Sequence, residues 1–196
     1  MKTRTLVSIF TFILAVLFIT GSCTTTPKKQ EEIDNVKQLE FFVYAGIGDV
    51  AGVKRLIKEG ADVNAQLFKE RHSALMAASA MGHTEIVKLL IKAGANVNTQ
   101  DIYGVTAFIM ASQFGHIEDV KLLIEVGADV NVQANDGFTA LIMASHEGQT
   151  EVAKLLIEQG ADVNVQTNDG VTALMWASTN EHIEIVKLLK EAGAKE

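Results

Sequence analysis

The 196-residue sequence predicts a mainly α solenoid in which helix-turn-helix units, joined by β-hairpin loops, stack side by side. Three observations carry that expectation. A Gly-Ala-Asp triplet or a near variant recurs with its glycine at Gly60, Gly94, Gly127, Gly160 and Gly193, at spacings of 34, 33, 33 and 33 residues. Before each glycine, apolar residues fall at three- and four-residue intervals, as Ile86, Val87, Leu89, Leu90 and Ile91 do before Gly94. This is the pattern of an amphipathic helix closed by a left-handed glycine. Asn135-Asp136-Gly137 and Asn168-Asp169-Gly170 then supply the residues of a tight hairpin tip.

The first element in chain order is a leader. Met1-Lys2-Thr3-Arg4 is short and basic, and Leu6 to Thr20 is an apolar run of 15 residues followed by Gly21-Ser22. That order marks residues 1–22 as an export signal. A membrane-spanning helix needs about 20 apolar residues, so the run falls short of one, and a retained signal anchor is an alternative. Thr20-Gly21-Ser22-Cys23 holds the chain's one cysteine and resembles the lipobox of bacterial lipoproteins, with Thr20 where Leu is usual. The resemblance implies a diacylglyceryl thioether on Cys23, cleavage just before it, and a lipid-anchored protein on the periplasmic or surface face of a bacterial cell envelope. A thiolate is the nucleophile that such chemistry requires. An ordinary cleaved signal peptide, its cysteine without a role, is the other alternative.

Residues 23–33 are expected to comprise the lipidated Cys23 and a flexible tether, because Thr24 to Ile33 (TTTPKKQEEI) is polar and holds the chain's one proline. The repeat domain is placed at 34–196, in units of about 34–66, 67–100, 101–133, 134–166 and 167–196. Ser73, Thr106, Thr139 and Thr172 each precede Ala-Leu or Ala-Phe and suit the N-cap of a short first helix. Ala78, Ala111, Ala144 and Ala177 let that helix pack closely. A single unit cannot bury its apolar face alone, so the units stack and the terminal ones differ. The first lacks the Thr-Ala-Leu start and is expected to turn Leu39, Phe41 and Phe42 inward. The last carries Lys187, Lys190, Glu191 and Lys195 as a polar outer edge. The second has one extra residue in LFKER, and Arg71 where Gly104, Gly137 and Gly170 stand elsewhere, so its hairpin is expected to be distorted or bulged toward solvent.

Laid over one another, HSALMAASAMGHTEIVKLLIKAGANVN, VTAFIMASQFGHIEDVKLLIEVGADVN, FTALIMASHEGQTEVAKLLIEQGADVN and VTALMWASTNEHIEIVKLLKEAGAKE share one register. The pattern resembles the ankyrin repeat from about Asp34 to Glu196, over five units, with QLEFFVYAGIGDVAGVKRLIKEGADVN similar to an ankyrin N-terminal cap. The resemblance implies an ankyrin-repeat solenoid whose hairpin tips and exposed first-helix side line a concave face that grips partner proteins. Carried onto this sequence, the tip positions are Lys69, Glu70, Ile102, Tyr103, Asn135, Asp136, Asn168 and Asp169, with His72, Val105, Phe138 and Val171 just beyond. The helix positions are Ala80 with Met81, Gln113 with Phe114, His146 with Glu147, and Thr179 with Asn180. Taking the second of each pair, and Ile47 from the first unit, the order is Ile, Met, Phe, Glu, Asn: an apolar stripe that turns polar halfway. Two readings stand open here. Exposed, the stripe forms with Ile102 and Tyr103 a hot-spot patch inside an acidic rim; turned inward, Ile47, Met81 and Phe114 fill gaps between helices. Trp176, in register with Met110 and Met143, is expected mostly in the core.

Candidate chemistry fades against the register. His83, His116 and His182 share a position with Asp49 and Gln149, which fits helix capping better than metal ligation. There is no HxxxH or HExxH spacing and no second cysteine. Ser79, Ser112, Ser145 and Ser178 recur as packing or capping residues without a GxSxG elbow, and Glu118-Asp119 reads as a solvated helix N-terminus. The expectation is a non-enzyme with no cofactor and no metal. The formal charge is −7, and loss of Lys2 and Arg4 with the leader leaves 15 basic against 24 acidic side chains. That balance argues against nucleic acid or anionic lipid surfaces as partners. Membrane contact is expected through the N-terminal lipid only, and the protein is expected to be monomeric. The function expected is a membrane-tethered protein-interaction module that binds or masks an envelope or extracellular protein, in a sharper form an inhibitor of one enzyme. A structural or stress-protective envelope lipoprotein without a dedicated partner is the alternative.

Overall fold

A computed structural model describes the backbone of residues 27–195 and the side chains of residues 35–195. The expected signal peptide, the Cys23 attachment point and the start of the tether lie outside the described residues. The chain divides after Lys37, and residues from Gln38 onward form one compact unit.

Helix α1 (Pro27–Ile47) includes residues 27–33, which the sequence reading assigned to a flexible tether. The helix start has a local cause. Proline suits the first helical position, where a missing N–H costs nothing, and Lys-Lys-Gln-Glu-Glu are good helix formers although too polar to signal a core. Helix α2 (Val50–Lys58) completes the first repeat. Strands β1 (Gln66–Leu67) and β2 (His72–Ser73) with helices α3 (Ala74–Met81) and α4 (Thr84–Lys92) make the second. Helices α5 (Ala107–Gln113) and α6 (Ile117–Glu125), α7 (Ala140–Glu147) and α8 (Thr150–Glu158), and α9 (Ala173–Thr179) and α10 (Ile183–Glu191) make the third, fourth and fifth. The first helices α3, α5, α7 and α9 pack in series, and α2, α4, α6, α8 and α10 pack in a parallel second row.

The first helices start where the hydroxyls predict. Ser73, Thr106, Thr139 and Thr172 accept the backbone N–H three residues on, at 3.2–3.3 Å, each worth about 1 kcal/mol. Ala78, Ala111, Ala144 and Ala177 are fully buried between the rows, and Leu90, Leu123, Leu156 and Leu189 form the matching apolar line of the second helices. Each such leucine contributes roughly 1.5–3 kcal/mol by leaving water. Phe41 is buried as expected, whereas Leu39 and Phe42 are half-buried, Phe42 lying edge-on to Phe68 at 5.1 Å. The second helices end on left-handed glycines, Gly94 at φ 92°, with Ala95 N–H returning to the Leu90 carbonyl at 2.9 Å.

Two side-chain ladders tie the repeats together. Asn64, Asn98, Asn131 and Asn164 each donate to the carbonyl of the next repeat's terminal glycine, Gly94, Gly127, Gly160 or Gly193. Each also accepts from a backbone N–H two residues beyond that glycine. In the second ladder His83, His116 and His182 donate from Nε2, and Gln149 from its amide, to Gly46, Ala80, His146 and Gln113 carbonyls at 3.1–3.2 Å. Because the partner is a carbonyl, Nε2 carries the proton in each imidazole. These residues occupy the N-cap position of the second helix but make no side-chain cap to it. The expected capping therefore acts on the preceding repeat's first helix. Only Asp49 caps its own helix, accepting from Gly52 N–H at 2.9 Å.

The second repeat's loop differs from the others, as expected, although not by losing its strand pairing. The second repeat, expected to be distorted, holds the only named strands among the described residues, pairing Gln66 with Ser73 and Leu67 with His72. Phe68 and Arg71 lie in the left-handed region at φ 65° and 62°. The fifth repeat's loop holds a single antiparallel bridge, Gln166 to Thr172. Ala134 N–H meets the Phe138 carbonyl at 2.9 Å, and Gly137 N–H meets the Ala134 carbonyl at 2.9 Å, with no strand beyond.

Candidate partner-binding face

Loop tips and first-helix ends of successive repeats form a continuous surface because each tip hydrogen-bonds to the next. Ile102 N–H donates to the Glu70 carbonyl, Asn135 to Tyr103 and Asn168 to Asp136, at 2.8–3.0 Å. This fixes the tip spacing without using the outward side chains. Asn135 and Asn168 also donate their amides to the Ile102 and Asn135 carbonyls at 2.9 Å. Two of the predicted contact residues are thus engaged in holding the tips in line.

The open question about the stripe is answered by exposure. Ile47 is 55%, Met81 44% and Phe114 49% exposed, and Ile102 and Tyr103 on the neighbouring tips are equally open. None of the three fills a gap between helices. They stand at successive first-helix C-termini and present apolar surface that folding leaves in water. Phe114 lies beside the ring of His116, a residue of the inter-repeat ladder, at 6.4 Å between centroids.

Beyond Phe114 the face becomes polar and self-engaged. His146 Nδ1 lies 3.2 Å from Glu147 Oε1, and Asn180 donates to the His146 carbonyl at 2.8 Å. Trp176, expected mostly in the core, is half-buried and packs edge-on against His146 at 4.5 Å and beside Phe138 at 6.4 Å. Its indole N–H is buried without a partner. Thr179 and Lys69 are exposed, and Gln113, Glu70 and Phe138 are half-buried. Near the second tip His72 Nε2 sits 3.4 Å from buried Asp101, whose other oxygen accepts from Tyr103 and Val105 N–H at 2.8 and 2.9 Å. That carboxylate ties down the tip backbone at Tyr103 and Val105.

One residue, Asp119, departs from its sequence reading away from this face. Glu118 is solvated, paired with Lys121 at 2.9 Å, but Asp119 is fully buried rather than part of a solvated helix start. It occupies the register position of Ile86, Val152 and Ile185, and that mismatch was the signal available in the sequence. Burial raises its carboxyl above the usual carboxylate range, against the opposing pull of the Thr84 hydroxyl, His116, His83 and Lys88. The Thr84 contact falls short of a full hydrogen bond, since neither Asp119 oxygen has a partner in good geometry. Ser79, Ser112 and Ser145 are buried with unpartnered hydroxyls, so they serve packing and not capping.

Among the described residues no three His, Cys, Asp or Glu side chains converge as a metal site, and no helix is long and apolar enough to cross a membrane. The family model for ankyrin repeats, built of three copies, matches residues 41–134 and 126–196. No curated protein matches the chain significantly.

Proposed function

Since the chain belongs to the ankyrin-repeat family, a family of protein-protein interaction scaffolds, we propose that it is a membrane-tethered module binding or masking an envelope or extracellular protein through the face just described. The observation that carries the reading is the exposed line of Ile47, Met81 and Phe114 beside Ile102 and Tyr103. Hydrogen bonds from repeat to repeat hold this surface before any partner arrives, so little ordering entropy is lost on binding. Apolar and aromatic side chains in that setting supply hot-spot energy, and the acidic remainder of the surface steers a basic partner. The tether is proposed from the Cys23 context alone: two or three acyl chains, at ~0.8 kcal/mol per buried methylene, anchor far more firmly than one.

Crosslinking in intact cells, followed by recovery of the full chain, tests the face. One dominant partner is expected, lost in Met81→Glu or Phe114→Glu proteins with unchanged helix content. Capture unaffected by both changes would refute the face and favour a structural lipoprotein with promiscuous contacts. Labelling with a fatty-acid analogue tests the anchor: wild type is marked and Cys23→Ala is not, and equal labelling removes the tether from the account.

A further inference from the structure

Charge on the tip and first-helix side of the stack is sorted along its length. In the third, fourth and fifth repeats the tips and first helices, residues 101–116, 134–149 and 167–182, hold no lysine or arginine. The second repeat's tip holds Lys69 and Arg71, both exposed, which outnumber the half-buried Glu70. Acidic charge open to water begins at the fourth repeat. Asp136 and Asp169 are exposed tip residues, and Glu147 stands half-buried at a first-helix end beside His146. Asp101 of the third repeat is buried and turned to the tip backbone, so it adds little to the surface. The second-helix row is not sorted in this way: α4, α6, α8 and α10 each carry both signs, as Glu85 with Lys88 and Glu151 with Lys154 do.

The two registers of the face change character at the same point. At the first-helix ends Met81 and Phe114 give way to Glu147, and at the tips Tyr103 gives way to Asp136 and Asp169. Met81, Phe114, Ile102 and Tyr103 are 42–56% exposed and separate the basic tip from the acidic ones. From the second repeat to the fifth the face therefore runs basic, apolar, acidic. Backbone bonds from Ile102 to Glu70, from Asn135 to Tyr103 and from Asn168 to Asp136 hold the tips in that sequence. Three chemistries set out along one line suit a linear ligand, which can meet each zone with its own side chains.

Resting on the interaction face proposed above, we infer that its occupant is one continuous segment of a partner protein, with lysine or arginine at one end, apolar side chains in the middle and a neutral or acidic other end. The segment lies along the stack with its basic end over Asp136 and Asp169 and its apolar part over Met81, Tyr103 and Phe114. The apolar contact supplies most of the affinity, because large apolar side chains desolvated at the centre of an interface carry most of its energy. The charges set direction. A reversed segment would bring its cations over Lys69 and Arg71, and like charges brought together act against the wrong arrangement.

The photo-crosslinking residue p-benzoylphenylalanine, placed in the full chain at Phe114 or at the exposed Thr179 and irradiated in intact cells, tests the arrangement. Both positions are expected to mark one partner within one segment, the mark from 114 among apolar residues and the mark from 179 beside lysine or arginine. With helix content unchanged, Asp136→Lys with Asp169→Lys is expected to lower the yield from position 114 at least about tenfold, and Asp136→Asn with Asp169→Asn at least about threefold. Glu125→Lys with Glu158→Lys makes the same charge change on the second helices and is expected to lower it less than about twofold. An equal fall with the second-helix pair, no fall with the tip pairs, or a mark from 179 on a segment without lysine or arginine would each overturn the inference and leave the apolar face standing. Absence of a dominant product from position 114 would remove the face and the inference with it.

Discussion

At the first repeat, Tyr44, Asp49 and Gly52 replace the alanine, histidine and isoleucine that one helix pair uses to meet the previous one, whereas the fifth repeat keeps Met175, Ser178, Ile183 and Val186 of the internal kind. The register is the same at both ends, and the changes fall at different places in it: in the fifth repeat Lys190 stands where Ile91, Ile124 and Ile157 do, and Glu181 where Gly82, Gly115 and Gly148 do. A repeat sequence specifies its own helices. The fate of each position is then set by the presence of a neighbour, since the stack is a sum of unit and interface terms.

The largest effect that sharpens this contrast is a charge placed twice in one register. Ile142→Glu, at a buried position, is expected to destabilise the domain by about 4 kcal/mol or more, because a carboxylate enters the core unpaired. Met175→Glu, one repeat later and exposed, is expected to cost less than about 1 kcal/mol. Urea unfolding of the two proteins decides it, and comparable losses would mean that the fifth repeat is covered in the monomer.

A medium effect belongs to Asp119, where an internal interface carries the wrong residue for its place. Asp119→Val restores the type found at Val152 and is expected to stabilise by roughly 1–3 kcal/mol at neutral pH, by removing a buried unsatisfied carboxyl. The sign with pH follows from its raised carboxyl. Below about pH 4 both folded and unfolded wild type are protonated at this residue, and no penalty is felt. As pH rises through the folded value the unfolded chain releases its proton more readily, and wild-type stability from this group is lost. The advantage of Asp119→Val should therefore grow from pH 4 toward neutrality; an advantage that shrinks over that range contradicts the assignment.

The smallest effect again contrasts the ends. Gly48, Gly82, Gly115 and Gly148 are left-handed, and a Cβ at each would meet the next repeat's His83, His116, Gln149 or His182; Glu181 holds the same place at φ 59°. Glu181→Gly relieves a left-handed side chain and is expected to raise stability by about 0.5–1 kcal/mol, read in the same denaturant series.

Periodicity made most of the fold legible. Hydroxyl caps, alanine contacts, helix-ending glycines and the five-repeat count follow from residues that repeat every turn of the pattern. Contacts between repeats were harder to see, because a histidine in an N-cap place looks like a cap until its reach to the preceding helix is known. Asn64, Asn98, Asn131 and Asn164 likewise recur visibly in the sequence, yet their bonds cross to the next repeat and so have no local signature. The face was half legible. Register named the candidates for it, but the exposure of Met81 and Phe114 and the internal use of Asn135 and Asn168 depend on packing and bonds between repeats that have no local signature. Asp119 was hidden by its neighbour, since Glu118-Asp119 has the composition of a solvated helix start.

Hydrogen exchange of the full chain, alone and in the complex recovered by crosslinking, measures the central claim most directly. The account predicts that the partner protects backbone amides at the first-helix C-termini and tips of the second and third repeats, around Met81, Tyr103 and Phe114, and leaves the second helices α4, α6 and α8 unchanged. Protection confined to those second helices, with the Met81 to Phe114 surface still exchanging as in the free chain, would contradict it.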